Sequence, residues 1–222
     1  PSLFTFNIRV KDLNAMAGIS MPDVITSIPA LKLQTSGPLL ITHWGFSGPA
    51  ILKLSAWGAR ELFACNYVFD AQINWCRQSE EQEVIRSIKQ TMARNTKKQV
   101  HNLMLFGMPT RLWKFICLRA SLPERLNCSK ISSKQINALV QILMRDTYRV
   151  TGKSTFKEEF VTAGGVDLTE VNMSTFESKK WPGLFFSGEV LNIDALTGGF
   201  NFQAAWTGGA IAAEAIAERL KA

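Results

Sequence analysis

Paired glycines and an asparagine stand where a helix should begin, in the segment GEVLNIDALTGGFNFQAAWTGG at residues 188–209. An apolar lead-in reaches a polar turn at Thr197-Gly198-Gly199, and an Ala-rich helix follows. Glycine permits unusual backbone angles and close approach to bare amides, and the first N–H groups of a helix carry roughly half a positive charge. The segment predicts either a tight turn that only reverses the chain, or a site for a phosphate or the pyrimidine edge of a flavin.

Two further features of this segment bear on that choice. Asn201 has the side chain to cap the helix, and Gly208-Gly209 would each cost about 1 kcal/mol relative to Ala inside a helix. Such a cost has a steric reason, so we expect another backbone or a ligand to pass close to that turn.

A second motif, THWGFSGPAIL, contains His43 and Ser47 as a conceivable base and nucleophile. The G-x-S-x-G elbow of a hydrolase is missing, and no acidic partner is placed by the spacing. A barrel strand followed by a turn and a helix start is the favoured interpretation, which leaves His43 as a weak catalytic candidate. The other histidine, His101, is expected on the surface of a basic helix.

Four cysteines, at positions 65, 76, 117 and 128, form no C-x-x-C pair. Zinc sites need short paired spacings of Cys or His, so no metal is predicted and we expect buried free thiols. This pattern favours a cytoplasmic location. The longest apolar runs are far shorter than the roughly 20 residues that span a bilayer, so no membrane association is expected.

Basic residues are concentrated in the middle third of the chain. Residues 77–149 contain fourteen Lys and Arg against five Asp and Glu, a net charge of +9 in a chain whose total is +7. A patch of this kind could meet nucleic acid or an anionic cofactor. Because basic and aromatic residues do not alternate there, a solvated helical face is favoured and nucleic acid is not the expected partner.

Local patterning predicts an α+β chain. Strands are expected at 3–10, 24–35, 37–43 and 66–75, with a turn at Ser36-Gly37, and a helix at 47–63. From Ser79, taken as a helix N-cap, apolar residues at spacing four (Val84, Ile88, Met92) begin a subdomain of three or four helices. Alternation returns at 148–166, and PGLFFSG (182–188) is expected to be a buried strand.

The motifs TAGGV (162–166), 173–209 and GPLLITHWGFSGPAILKLS (37–55) resemble those of a bacterial flavoprotein family, the aminoacetone-oxidase-like FAD-binding oxidoreductases, which are grouped with bile-acid dehydroxylation reductases. The resemblance implies a β-barrel-like domain (1–76 and 146–164), a helical subdomain inserted into it (77–145), and the C-terminal part of a split, Rossmann-like FAD-binding domain (165–222).

The same resemblance implies which residues approach the cofactor FAD. Gly188 and Glu189 would follow the last strand of the FAD domain, and Asp194 would lie near the ribityl or pyrophosphate group. The amides of the next segment would face the isoalloxazine, namely Thr197, Gly198, Gly199, Phe200 and Asn201. The chain departs from the family pattern at Asn192, where an acid is common, at Ala195, where Gly is usual, and at Phe200, where Tyr is frequent.

The G-x-G-x-x-G turn that holds the pyrophosphate in such families is absent from the sequence. The chain, which opens in mid-strand, is therefore expected to be a piece of a longer protein whose partner is an N-terminal FAD-binding segment, and to bind FAD weakly or not at all alone. Two hypotheses remain open. The parent is an FAD-dependent oxidoreductase with a small-molecule substrate and NAD(P)H or oxygen as redox partner, or the chain is a non-catalytic module whose basic helices contact an anionic partner such as nucleic acid.

Overall fold

The computed structural model describes residues 1–154 and 161–221. Six antiparallel strands close into a barrel in the order β1–β4–β3–β2–β5–β6, which confirms the predicted α+β class and barrel. The strands are β1 (Phe6–Ile8), β2 (Ser20–Ile28), β3 (Leu33–Thr42), β4 (Gly45–Ser47), β5 (Val68–Asn74) and β6 (Asp146–Lys153). Closure leaves no unpaired strand edge around this barrel.

The turn between β2 and β3 lies elsewhere than the sequence predicted. Ser36 and Gly37 are inside β3, where they pair with Ile25 and Val24 of β2. The chain instead reverses through a 3₁₀ turn at Pro29–Leu31, which ends on Lys32 with φ 54°. Proline has no N–H to give to a ladder, so the interruption falls at Pro29 and the predicted strand 24–35 is divided there.

Helices cover the barrel and connect its strands. They are α1 (Lys11–Asn14), α2 (Pro49–Trp57) and α3 (Ala59–Ala64). The single helix predicted over 47–63 is divided at Gly58, because glycine is the weakest helix former after proline. Pro49 occupies the first turn of α2, as the sequence indicated.

A helical region between β5 and β6 contains α4 (Glu81–Arg94), α5 (Thr110–Arg119) and α6 (Ser133–Arg145). The predicted periodicity of α4 is confirmed, since Val84, Ile88 and Met92 are its buried residues. Its N-cap is Glu80 rather than Ser79, without a side-chain cap. Helix α6 begins with a side-chain N-cap, since Ser132 and Gln135 form a reciprocal capping box.

A buried carboxylate joins the barrel to these helices at the start of β6. Asp146 is fully buried and accepts hydrogen bonds from Trp75 Nε1 (2.9 Å), Tyr148 Oη (2.5 Å) and Arg119 Nε (2.8 Å). The Arg119 guanidinium also lies 4.7 Å from the centre of the Tyr148 ring. Three elements of the fold therefore contact this side chain: α5 through Arg119, β5 through Trp75 just after its end, and β6 through Tyr148.

The C-terminal part contains less regular structure. It comprises a two-stranded antiparallel sheet, β7 (Val171–Asn172) and β8 (Glu177–Ser178), and the long helix α7 (Phe200–Arg219). The predicted buried strand at 182–188 is wrong: among the described residues this segment makes a single bridge, Glu177 to Phe185, and Leu184 is 44% exposed. A strand persists only where a neighbouring strand pairs along it, and here the pairing stops after one residue.

The predictions for the four cysteines and for His101 can also be compared with the structure. All four cysteines are free thiols, but Cys65 is exposed, so the prediction that all are buried is wrong for it. Burial raises the pKa of the Cys117 thiol to about 12. His101 is buried, not on the surface, with Nε2 3.2 Å from the Leu122 carbonyl oxygen.

Two further observations concern the predicted domain boundaries and the possibility of a membrane-spanning helix. The barrel return predicted to end at 164 includes 155–160, which lie outside the described residues. Among the helices that are described, none has both the length and the apolar character needed to cross a bilayer. The predicted domain boundaries stay a prediction.

Candidate functional site at the start of helix α7

The turn into α7 is built from two glycines whose backbone only glycine adopts readily. Gly198 has φ 126° and Gly199, the N-cap of α7, has φ 84° in the left-handed region. No side chain caps the helix, and a Cβ built on Gly199 would meet no heavy atom within 4 Å. The first N–H groups of α7, which have no acceptor within the helix, therefore lie behind an open backbone surface.

Asn201 does not cap α7, which corrects the prediction from sequence. It lies in the first helical turn, and its side chain makes two hydrogen bonds with one residue of the preceding loop: Oδ1 accepts from Ala195 N at 2.8 Å, and Nδ2 donates to Ala195 O at 2.9 Å. This reciprocal pair ties the loop 195–199 to the helix. Asn201 thus positions the Gly198-Gly199 turn, and its amide group is already engaged.

The TAGGV motif lies against the start of the segment 188–209. Val166 and Leu191 form a parallel bridge, in which Val166 N donates to Val190 O and Asn192 N donates to Val166 O. Gly165 permits this approach, because a Cβ there would lie 2.5 Å from the Val190 carbonyl oxygen. Two motifs that are separate in sequence are therefore one structural unit.

A cavity of about 190 Å³ opens beside this turn. Its walls come from the turn and α7, from Glu189, and from Leu3 and Val161 at the edge of the barrel, where Ser2 pairs with Val161. Ligand pockets in proteins usually enclose about 300–1,000 Å³. The described residues therefore supply one wall for a planar or anionic group rather than a complete pocket. This wall is made of backbone amides and the open Gly199, while Gly198 lies against the Phe200 ring, whose Cε2 would be 3.1 Å from a Cβ there.

The remaining residues predicted to approach a cofactor are distributed around this wall. Gly188 and Glu189 form a 3₁₀ turn just before Leu191. Asp194 is half-buried in the following loop, Thr197 is exposed and lines the cavity, and Phe200 is 60% exposed at the first position of α7. The fold thus brings these residues to one end of α7, while their contact with a cofactor stays a prediction.

His43 is placed apart from these residues by the chain. It lies exposed in the turn that connects β3 to β4, next to Trp44. The cavity at the start of α7 has no wall from that turn. A catalytic role for His43 stays a prediction without support from this geometry.

Gly208 and Gly209 of α7 have close neighbours, as the unfavourable helix propensity of glycine led us to expect. A Cβ on Gly208 would lie 2.7 Å from Cε1 of Phe176, and one on Gly209 would lie 3.3 Å from Ser187 Oγ. The close neighbour of Gly208 is thus an aromatic side chain of the same segment, rather than a backbone or ligand. Leu191, Val171 and Ala212 complete this small core.

Sequence reasoning missed that α7 is apolar on the opposite side as well. An exposed stripe runs the length of the helix at spacings of three and four, so its members share one face. Phe202 and Trp206 are 66% and 70% exposed and stack at 6.0 Å between ring centres. The exposed apolar stripe of α7 consists of Phe202, Trp206, Ala210, Ala213, Ala217 and Leu220. The apolar residues at this spacing were readable, but their exposure was not.

A second missed feature is a link between the barrel and the loop before α7. Arg60 of α3 donates a hydrogen bond from Nη2 to Asn192 Oδ1 at 2.8 Å. The departure from the family pattern at Asn192 therefore keeps a polar partner. Within the described residues, no group of three or more His, Cys, Asp or Glu is arranged to hold a metal ion.

Comparison with known proteins identifies relatives along almost the whole chain. Residues 1–161 match the model described as "HI0933-like protein barrel and H2TH domain". The ribosomal RNA dihydrouridine synthase of Escherichia coli is 31% identical over 205 residues, which cover 89% of this chain and 46% of that protein. The protein of the same name from Haemophilus influenzae is 30% identical, over 92% of this chain and 48% of its own length.

A more distant relative is the 3-dehydro-bile acid delta(4,6)-reductase of Clostridium scindens, which is 22% identical over 99% of this chain and 54% of its own length. A bile-acid reductase was among the relatives that the resemblance implied. The chain spans about half the length of the curated relatives it matches.

Proposed function

Because this chain belongs to the HI0933-like protein family, we propose that it is the barrel, helical and flavin-facing part of a flavin-dependent reductase. Its cofactor is FAD, with NAD(P)H as the reductant that restores the reduced flavin. The observation that carries the proposal is the open glycine turn at the start of α7, with helix N–H groups behind it and a cavity in front of it.

The reaction we propose is reduction of a C=C bond conjugated to a carbonyl group. The names of the relatives support it. Formation of dihydrouridine saturates the C5=C6 bond of uracil, which is conjugated to a ring carbonyl, and a 3-dehydro bile acid with 4,6 double bonds is a conjugated dienone. Saturating the uracil bond adds one hydride to C6, the carbon distal to the carbonyl, and one proton to C5, the carbon next to it. Saturating one C=C bond of the dienone likewise takes one hydride and one proton.

The flavin supplies the hydride when it is bound. The residues of this chain hold the negative charge that the reduced cofactor carries: the first N–H groups of α7 are fixed dipoles that need no reorganisation. Gly199, which has no neighbour within 4 Å of a Cβ, lets a flat ring reach those groups, and Asn201 fixes the turn through Ala195. Phosphate binding belongs to another segment, since this sequence has no G-x-G-x-x-G turn.

That other segment is an N-terminal dinucleotide-binding segment, which we propose packs on the exposed apolar stripe of α7. A helix with apolar residues on both faces is typical of an element between two layers, and one face of α7 is already covered by Phe176 and Leu191. The cavity of about 190 Å³ would become a full site when the second layer closes it.

The test compares visible flavin absorption in two polypeptides after addition of FAD and desalting. We expect the 222-residue chain to be colourless and a longer polypeptide, in which a dinucleotide-binding segment precedes it, to be yellow. In the longer polypeptide, Gly199→Ala should lower flavin retention, because φ 84° is strained for alanine. The matched control is Gly183→Ala, which has φ 89° and, like Gly199, no neighbour within 4 Å of a Cβ.

A colourless longer polypeptide, or equal flavin loss from both glycine variants, would contradict this placement of the cofactor. Flavin retained by the 222-residue chain alone would show instead that α7 and the barrel hold FAD without a phosphate loop.

A further inference from the structure

The helical region carries a second cavity, of about 330 Å³, whose lining is polar and basic. It lies between the 3₁₀ turn Val100–Asn102, the exposed side of α5 and the loop before Leu126. Lys114 of α5 and Arg125 of the loop line it, together with the amides of Gln99 and Asn102. Glu124 is the one carboxylate in this lining.

A short backbone pairing next to this cavity carries further cations on its two segments. Cys128 N donates to Lys98 O, and Val100 N donates to Leu126 O, so the two segments form an antiparallel bridge centred on Gln99. The Lys98 ammonium acts on the Cys128 thiol: burial raises the pKa of that thiol, and the charge of Lys98 partly opposes the rise. We call the following five exposed cations the basic face: Lys97, Lys98, Lys114, Arg125 and Lys130.

Two members of the basic face, Lys114 and Arg125, line the polar cavity, and none of its five cations has a carboxylate partner among the described residues. Five other cations of 77–149 also lack such a partner but do not line this cavity: Arg86, Lys89, Arg94, Arg111 and Lys134. Among the described residues, four cations of 77–149 form ion pairs: Arg77 with Asp23, Arg119 with Asp146, Arg145 with Glu81, and Arg149 with Asp70. The members of the basic face form none there. Their charge is thus available to an external anion.

We propose that the basic face binds the phosphate backbone of RNA and holds it as the substrate of the reductase. The inference rests on the proposed function, since it names RNA as the bearer of the reduced base. Lys, Arg, Asn and Gln side chains are the groups that contact phosphates, and this cavity offers all four. RNA rather than an acidic protein is favoured because two relatives are named for ribosomal RNA.

The chemistry of the face also predicts how it recognises RNA. Its cavity is lined by no Phe, Tyr or Trp, and the one aromatic ring in its lining, His101, is buried with Nε2 3.2 Å from the Leu122 carbonyl oxygen. Recognition of unstacked bases uses exposed aromatic rings on which the bases stack. Contacts to phosphates fix position without reading sequence. The face should therefore bind structured RNA of unrelated sequences alike, leaving selection of the uridine to the flavin site.

The experiment measures binding of the 222-residue chain to two fluorescein-labelled RNA hairpins of unrelated sequence, by anisotropy over a range of salt concentrations. We expect similar affinities for both hairpins. The test variant is Lys114→Gln with Arg125→Gln, and the control is Arg77→Gln with Arg149→Gln, which removes the same two charges from ion-paired positions. Circular dichroism establishes that both variants are folded.

The test variant should weaken binding by on the order of tenfold at low salt and reduce the slope of log affinity against log salt by about 2, one for each cation removed from the face. The control should stay close to the parent chain. Equal losses in both variants, an unchanged slope, or strong preference for one hairpin would overturn the proposal. So would competition by polyglutamate as effective as by unlabelled RNA.

This outcome is independent of the flavin test, because RNA binding is measured without cofactor. A colourless longer polypeptide with selective loss of RNA binding in the test variant would refute the reductase and retain the RNA face. A yellow longer polypeptide whose chain fails the RNA test would do the opposite.

Discussion

The barrel with its helices and the C-terminal segment 161–221 bury their apolar residues to very different degrees. In the first region one continuous core includes Phe6, Phe46, Trp113 and Leu139, each fully buried. In the second, the core is a small cluster around Phe176, while Trp181 and Trp206 are each 70% exposed. The first region buries most of its large hydrophobic side chains in one core, although Trp57, Phe63 and Met104 are more than half exposed. The second region has a much smaller core for its size and leaves most of its large apolar side chains partly or largely exposed.

That difference separates two roles within one chain. A region with a closed barrel and a continuous core can hold side chains in fixed positions. A segment with an exposed apolar stripe is stabilised fully only when a further surface covers it. The candidate flavin wall lies in the second region, at the end of the helix that carries the stripe. We therefore expect cofactor binding and the covering of α7 to occur together.

The largest effect should come from comparing two tryptophans, one from each region. Trp113 is fully buried and its Nε1 donates to the Val100 carbonyl at 2.9 Å, so Trp113→Ala should lower the free energy of unfolding by about 3–5 kcal/mol. Trp206→Ala should change it by less than about 0.5 kcal/mol in the 222-residue chain, as expected at an exposed position. Chemical denaturation followed by circular dichroism measures both.

The same pair tests what covers α7. In the longer polypeptide, Trp206→Ala should become destabilising and should lower flavin retention, whereas the effect of Trp113→Ala should stay the same. A Trp206→Ala variant that is strongly destabilising in the 222-residue chain would remove the contrast between the two regions.

The next prediction uses carboxylates whose pKa values move in opposite directions. Burial raises the pKa of Asp146 above its usual 3.8, although Arg119, Tyr148 and Trp75 oppose the rise. The folded protein therefore binds the Asp146 proton more tightly than the unfolded chain does. The resulting contribution to the free energy of unfolding is fully present below pH 3.8 and is lost as pH rises through the pKa of the folded state. A hydrogen bond from Gly183 N lowers the pKa of Glu177 below its usual 4.5, and Arg219 adds to this effect. The contribution of ionised Glu177 to the free energy of unfolding is therefore present above pH 4.5 and is lost as pH falls through the pKa of the folded state.

Stability measured against pH should therefore diverge for the two variants. Relative to the parent chain, Asp146→Asn should become less destabilising as pH rises from acid toward neutral. Over the same range, Glu177→Gln should become more destabilising. Urea denaturation at several pH values provides the comparison. Parallel pH profiles for the two variants would contradict it.

The sequence predicted the region with a closed core better than the segment without one. Periodicity alone identified the buried face of α4, because a helix core repeats every three to four residues. The turn at Pro29 was misplaced, since Ser36-Gly37 is a typical turn pair and only the register with β2 shows that it continues the strand. Local residue types do not report such pairing.

In the C-terminal segment the sequence identified the glycine turn but not the hydrogen bonds that hold it in place. The glycines of α7 and its start were recognisable from composition, and their cost pointed to a close neighbour. The attachment of Asn201 to Ala195 depends on a backbone group six residues away, and the single bridge at Phe185 depends on Glu177, the first residue of β8. Both follow from tertiary placement, which no local pattern encodes.

A smaller effect should separate the two adjacent glycines of α7. Gly208→Ala places a methyl 2.7 Å from the buried Phe176 ring, and forced contacts of this kind typically cost about 1–3 kcal/mol, which exceeds the helix propensity gained. Gly209→Ala meets only Ser187 Oγ, at 3.3 Å, and should be neutral or stabilising by up to about 1 kcal/mol. Thermal unfolding compares the pair directly.

Equal destabilisation by both substitutions would mean that Phe176 is not what requires glycine at 208. A combined Gly208→Ala and Phe176→Leu variant distinguishes this further, because the smaller side chain should recover part of the loss if the ring is the obstacle.

The smallest effect should arise at the link between the two regions. Arg60 donates to Asn192 Oδ1 at 2.8 Å, so Asn192→Asp would convert a neutral acceptor into an ion pair. Exposed pairs of this kind contribute about 0–1 kcal/mol, and salt screens them. We expect a small gain in stability at low salt that disappears at high salt. A double-mutant cycle with Arg60→Gln isolates the pair. If the gain survives in the Arg60→Gln background, the new carboxylate acts through another group and Arg60 is not the connection between the barrel and the loop before α7.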